Sequence, residues 1–126
     1  MKKQYVVLVA DRNPRIRNFI QRELTSEGYR VFTAENAGQL KSWIIRPVQL
    51  DALVIDPNMP GIDSREQIQT VLSLRPALPV VIHCLSPDFT ELRNLTKRNV
   101  FVEKSGHSVD LVKKQIELLL VQPVAL

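Results

Sequence analysis

Five short apolar runs alternate with five stretches of helical spacing along this chain, and no other feature restricts its fold so strongly. Tyr5 to Ala10 is an unbroken, largely β-branched run, the pattern of a strand covered on both faces. Asn13-Pro14 then opens a helix, because Asn caps well and Pro suits the first helical position. Ile16, Phe19, Ile20 and Leu24 recur at helical spacing, and Gly28 stands where a C-terminal cap belongs. Arg30 to Ala34 alternates weakly and reads as a second strand. Asn36 caps a short second helix with Ala37, Leu40 and Ile44 inward, and Pro47 ends it. Ala52 to Ile55 is a third buried strand that runs directly into Asp56. Pro57, Pro60 and Gly61 make the next loop rich in turns. Ser64 to Leu74 is a third helix with Ile68, Val71 and Leu72 inward, and Pro79 to Ile82 a fourth strand. Ser86-Pro87-Asp88 starts a short fourth helix carrying Leu92 and Leu95. Val100 to Val102 is a brief fifth strand. Ser108 caps the last helix, whose inner stripe is Val112, Ile116 and Leu119.

Strands that alternate with helices in this way are parallel, because each crossover helix returns the chain to the same end of the sheet. Ligands in such sheets sit at the carboxyl ends of the strands, near the switch in strand order. That rule singles out Asp11 and Arg12 after the first strand, Asp56 after the third, Cys84 after the fourth and Lys104 after the fifth. The 126 residues make one domain, 1–126, with a core over about residues 4–121 and a frayed tail from Gln122 to Leu126. The apolar runs are too short to span a bilayer. The basic start at Met1-Lys2-Lys3 is followed by a run that stops at Asp11 without a small-residue cleavage site, so it reads as the first strand of a cytoplasmic protein. Cys84 is the sole cysteine, which excludes an internal disulfide. The net charge of +4 comes from scattered Lys and Arg with no interleaved aromatics, so direct nucleic-acid binding is not expected.

The strand-end segments resemble one family. Val9-Ala10-Asp11-Arg12-Asn13-Pro14-Arg15-Ile16-Arg17 is similar to the opening motif of response-regulator receiver (CheY-like) domains, where two adjacent acids precede a Pro-x-Ile-Arg helix start. Asp56-Pro57-Asn58-Met59-Pro60-Gly61 resembles their phosphoacceptor motif, Asp-x-x-Met-Pro-Gly. Pro79 to Cys84 resembles the fourth strand, which ends in Thr or Ser in the family, and Val100 to Lys104 the fifth, with its terminal lysine. The resemblance implies an α/β fold: a (βα)5 flavodoxin-like three-layer sandwich with a five-stranded parallel sheet, order 2-1-3-4-5. It also implies a role in two-component phosphorelay signalling in bacteria, with Mg²⁺ as cofactor and a histidine kinase or downstream regulator as partner. By resemblance Asp56 is the phosphoacceptor, Asp11 the first acid of the metal-binding pair, Asn58 the residue whose carbonyl ligates the metal, Lys104 the lysine that contacts the phosphoryl oxygens, and Phe101 the aromatic switch residue. Acyl phosphate formation at such a site depends on positioning and charge neutralisation.

This chain departs from the pattern. Arg12 replaces the second acid, and a guanidinium has no lone pair to donate to a metal. Its expected place is between Asp11 and Asp56, taking over the metal's charge in an ion-pair network with Lys104. Cys84 replaces the hydroxyl and reads either as a small apolar filler or as a redox-sensitive thiol beside Lys104. Ser105 stands where the family has proline, so no cis peptide is expected after Lys104. The segment from Cys84 to Lys104 is slightly short, which implies a truncated or displaced fourth helix. His83 and His107 lack companions at metal-ligand spacing. Arg93, Lys97, Arg98, Lys113 and Lys114 are expected on the face of the last two helices, the family's usual partner surface; a solvated basic face is the plainer account.

Three functions compete. One is a single-domain receiver phosphorylated on Asp56 by a histidine kinase. Another is a pseudo-receiver that acts by protein–protein interaction, with weak or no Mg²⁺-dependent phosphorylation; Arg12 and Cys84 favour it. The third, an enzyme, is not expected. An aspartyl-nucleophile phosphatase would carry an acid at Asn58, and a dinucleotide enzyme would carry glycines at Asp11-Arg12-Asn13-Pro14. No output domain is expected after the last helix. Dimerisation through the last helices stays open.

Overall fold

The computed structural model describes residues 3–85 and 96–121. Five strands are present: β1 (Val6–Ala10), β2 (Arg30–Ala34), β3 (Ala52–Ile55), β4 (Val80–Cys84) and β5 (Asn99–Glu103). They form one parallel sheet in the order β2-β1-β3-β4-β5. The described helices are α1 (Pro14–Ser26), α2 (Ala37–Ile45), α3 (Arg65–Leu72) and α4 (Ser108–Leu120). The short helix expected from Ser86 and the tail from Gln122 lie outside the described residues.

Strand position explains how clearly each strand reads in the sequence. β1, β3 and β4 are central and buried along their whole length, so both faces must be apolar. β2 and β5 are the edges and are only partly covered, which is why Arg30 to Ala34 alternates weakly. The sheet separates two apolar layers. On one face Leu8, Leu53, Val80 and Ile82 pack with Leu40 and Ile44 of α2 and Ile68 and Leu72 of α3. On the other, Val7, Val9, Val54 and Val81 pack with Ile20 and Leu24 of α1 and Val112 and Ile116 of α4.

The helix starts follow from local chemistry. Asn13 Oδ1 accepts the amides of Arg15 and Ile16, Asn36 Oδ1 that of Gln39, and Ser64 Oγ that of Gln67. Ser108, expected to cap α4, is instead its first residue; His107 precedes it without a side-chain cap. The reason is that the Ser108 hydroxyl is bonded elsewhere, to the Ser105 carbonyl and to His83. After α3, Arg75 reaches back to the end of α2, where Nε donates to the Ile44 carbonyl at 2.9 Å and Nη2 to those of Arg46 at 2.6 Å and Val48 at 2.9 Å. These carbonyls have no helical partners, and a cation suits a helix C-terminus. Arg75→Ala is expected to lower stability by about 2 kcal/mol. Arg75→Lys should recover only part of it, because a single ammonium cannot span three acceptors; urea midpoints measured on the three proteins decide.

Candidate functional site

The strand order switches between β1 and β3, and the register there pairs Ala10 with Ile55. The next residue on each strand is Asp11 and Asp56, so two carboxylates stand side by side at the carboxyl edge. The Asp11 amide donates to the Ala34 carbonyl at 3.0 Å and the Asp56 amide to the Ala10 carbonyl at 2.9 Å, which prolongs the ladder by one residue on each side. Both side chains are buried, Asp11 2% and Asp56 7% exposed. Each spends one oxygen on the backbone two residues ahead: Asp11 Oδ1 accepts the Asn13 amide and Asp56 Oδ1 the Asn58 amide, both at 2.8 Å. These turns direct the two remaining oxygens toward a common cation.

That cation is Lys104. Its Nζ lies 2.5 Å from Asp56 Oδ2 and 3.0 Å from Asp11 Oδ2. Lys104 is better aligned with Asp56 than with Asp11, whose buried Oδ2 it meets as an ion pair. Burial alone would lower the Lys104 pKa, but the bonds and charges of Asp56 and Asp11 outweigh it and raise it. β5 is two strands away from β3, roughly 10 Å, so only a long side chain spans the gap. The Lys104 amide is anchored to the Cys84 carbonyl at 2.8 Å.

Arg12 does not lie between the carboxylates. It is exposed, and among the described residues no ion pair joins it to Asp11 or Asp56. The turn from Asp11 Oδ1 to the Asn13 amide leaves residue 12 at its tip, where a guanidinium keeps its hydration, and the buried position is already filled by Lys104. The expected ion-pair network therefore exists without Arg12. Cys84 is buried in the layer shared with α2 and α3, and Phe101 is half-buried against it. Asn58 is exposed. No peptide bond among the described residues is cis, so Lys104–Ser105 is trans. The basic set is dispersed: Lys113 pairs with Glu23 of α1 and with Glu27 just beyond it, Arg98 bonds the Leu119 carbonyl, Lys97 and Lys114 are exposed, and Arg93 lies outside the described residues.

The loop after Asp56 shows what Met-Pro-Gly does physically. Met59 is buried in the core, the Pro60 carbonyl accepts the Ala37 amide at 2.9 Å, and Gly61 has φ +90°. A Cβ on Gly61 would stand 2.9 Å from Ala37 Cβ, so only glycine allows this approach to α2.

A family model for the response regulator receiver domain matches residues 7–116. This chain belongs to the response regulator receiver family. Solved receivers share its fold. Chemotaxis protein CheY4 of Vibrio cholerae superposes with a TM-score of 0.78 at 20% identity, over 94% of this chain and 100% of that one. A CheY-like receiver from Methanospirillum hungatei gives 0.76 at 21% identity, over 93% and 94%. Response regulator TrrA of Thermotoga maritima, solved in complex with Mg²⁺-BeF, gives 0.72 at 26% identity, over 93% and 100%.

The receiver's residues fit a divalent cation poorly. Two acids face the centre, Arg12 stands in the third acid's place, and both facing oxygens are engaged with an ammonium. Among the described residues no three His, Cys, Asp or Glu side chains are grouped to hold a metal ion. None of the described helices is long and apolar enough to cross a membrane. Two supporting features escaped the sequence. Arg17 donates from Nη1 to the Asp11 carbonyl at 2.8 Å and from Nη2 approaches Glu35 at 3.3 Å, bracing the acid from one turn into α1. His83 is buried behind the site and bonded to Ser108; only its isolation among apolar neighbours hinted at this.

Proposed function

We propose that this two-component receiver is a pseudo-receiver: a protein-interaction module with weak or no Mg²⁺-dependent phosphorylation of Asp56. One observation carries the reading, the Lys104 ammonium held between Asp11 and Asp56 while Arg12, in the second acid's place, faces solvent. A divalent ion entering here would displace or crowd a buried cation and would find two carboxylates instead of three. The domain turns over no substrate of its own. It works in the bacterial cytoplasm, and its partners are a histidine kinase or a downstream regulator. Surface for such partners includes Leu111, Lys114 and Leu118, all exposed on α4.

A second reading, a conventional receiver phosphorylated on Asp56, is favoured by the contact of Lys104 with Asp56, since an ammonium there also neutralises phosphoryl oxygens. Intact-mass spectrometry after incubation with a small-molecule phosphodonor and Mg²⁺ separates the two. We expect little or no phosphoryl gain in the wild type, and a gain in Arg12→Asp, which restores the third acid. Rapid stoichiometric gain in the wild type, lost in Asp56→Asn, would overturn the pseudo-receiver reading.

A further inference from the structure

The last two residues of β4 both hold the connection that carries Lys104. On one side, the Cys84 carbonyl accepts the Lys104 amide at 2.8 Å. On the other, His83, 2% exposed, has Nε2 2.8 Å from Ser108 Oγ, and the same hydroxyl donates to the Ser105 carbonyl at 2.9 Å. A hydroxyl has one proton. Given to Ser105, it leaves Oγ an acceptor toward His83, so the imidazole carries its proton on Nε2. Nδ1 is then a bare lone pair, buried and without a hydrogen-bond partner among the described residues. The loop's other described bonds are long: the Ser108 amide donates to the Ser105 carbonyl and the His107 amide to Ser105 Oγ, both at 3.3 Å. Ser105, Gly106 and His107 are exposed, a Cβ on Gly106 would meet nothing within 4 Å, and α4 begins without a side-chain cap.

We infer that His83 and Ser108 are positioning residues whose hydrogen-bonded chain latches the β5–α4 connection and so holds the Lys104 ammonium against Asp11 and Asp56. Neither residue touches the carboxylates; they act through the backbone of Ser105, one residue beyond the lysine. The latch also joins α4 to the charge centre, so a partner that shifts the start of α4 withdraws Lys104. This inference rests on Lys104 completing the centre, but it is read without phosphodonor or metal and stands or falls apart from the phosphorylation result.

The test is the Lys104 Nζ ammonium signal in nitrogen-15 NMR, visible when bonding to carboxylates slows proton exchange. We expect the wild type to show it and His83→Leu to lose it. His83→Gln, which keeps a donor near the Nε2 position, should retain it, and Ser108→Ala should lose it with His83 intact. If His83→Leu fails to fold, Ser108→Ala decides. A retained signal in folded His83→Leu or Ser108→Ala would overturn the latch, as would its loss in folded His83→Gln.

Discussion

Lys104→Met is expected to destabilise the domain by about 3 kcal/mol or more, the largest effect of any single substitution at the site. The reason is what it leaves behind. Asp11 and Asp56 face each other with Oδ2 atoms that share one cation, and both side chains are at least nine-tenths buried. Removing the ammonium strands two like charges where water cannot hydrate them. Lys104 is itself only 16% exposed, so solvent screening offsets little of the loss. Urea denaturation checks this: the midpoint should fall with an unchanged slope. The double variant Asp56→Asn, Lys104→Met should be more stable than Lys104→Met alone, because it removes one of the stranded charges. Equal midpoints for wild type and Lys104→Met would show that the ammonium contributes nothing net.

Acid should weaken this domain through His83. Burial, then the nearby charge of Lys104, push its pKa down from 6.5 to about 4, while Asp11 and Asp56 oppose the shift. In the unfolded chain the imidazole takes a proton near pH 6.5; in the folded domain it stays neutral until about pH 4. Between those values the unfolded state binds more protons, so stability falls as pH falls. The contribution is fully present above pH 6.5 and lost through that window, at a cost of about 3 kcal/mol. Physically, a charged imidazole would need a partner for the Nδ1 proton, and none exists among the described residues. The measurement is the difference in unfolding free energy between pH 7 and pH 4.5 for wild type and His83→Gln, which cannot charge. A drop of equal size in both proteins would place the acid sensitivity elsewhere.

The central strands and most helix starts were legible in the sequence because local rules govern them. A strand covered on both faces must be apolar throughout, and Asn13, Asn36 and Ser64 accept helix amides a few residues ahead. Where Ser108 was read as a cap, local reasoning failed, because a buried histidine twenty-five residues earlier holds its hydroxyl. The Met-Pro-Gly motif was correctly placed after Asp56. Its residues are accounted for by packing: Met59 in the core, the Pro60 carbonyl on α2 and Gly61 against Ala37. The motif therefore marks a loop shape and says nothing by itself of whether Asp56 is phosphorylated.

The sequence alone determined the order and type of the described elements, since hydrophobic period, caps and turns act over a few residues; it ended the fourth and fifth strands at Ile82 and Val102, short of Cys84 and Glu103. It named Asp11, Asp56 and Lys104 as one group. Which cation sits between the carboxylates was decided only by the tertiary structure. Arg12 is next to Asp11 in the chain, yet a two-residue turn sends it to solvent, while Lys104, far away in sequence, is brought across the sheet edge by strand order and register. Adjacency in sequence sets where a backbone goes; which charges meet is set by the register of strands that pair across the whole chain.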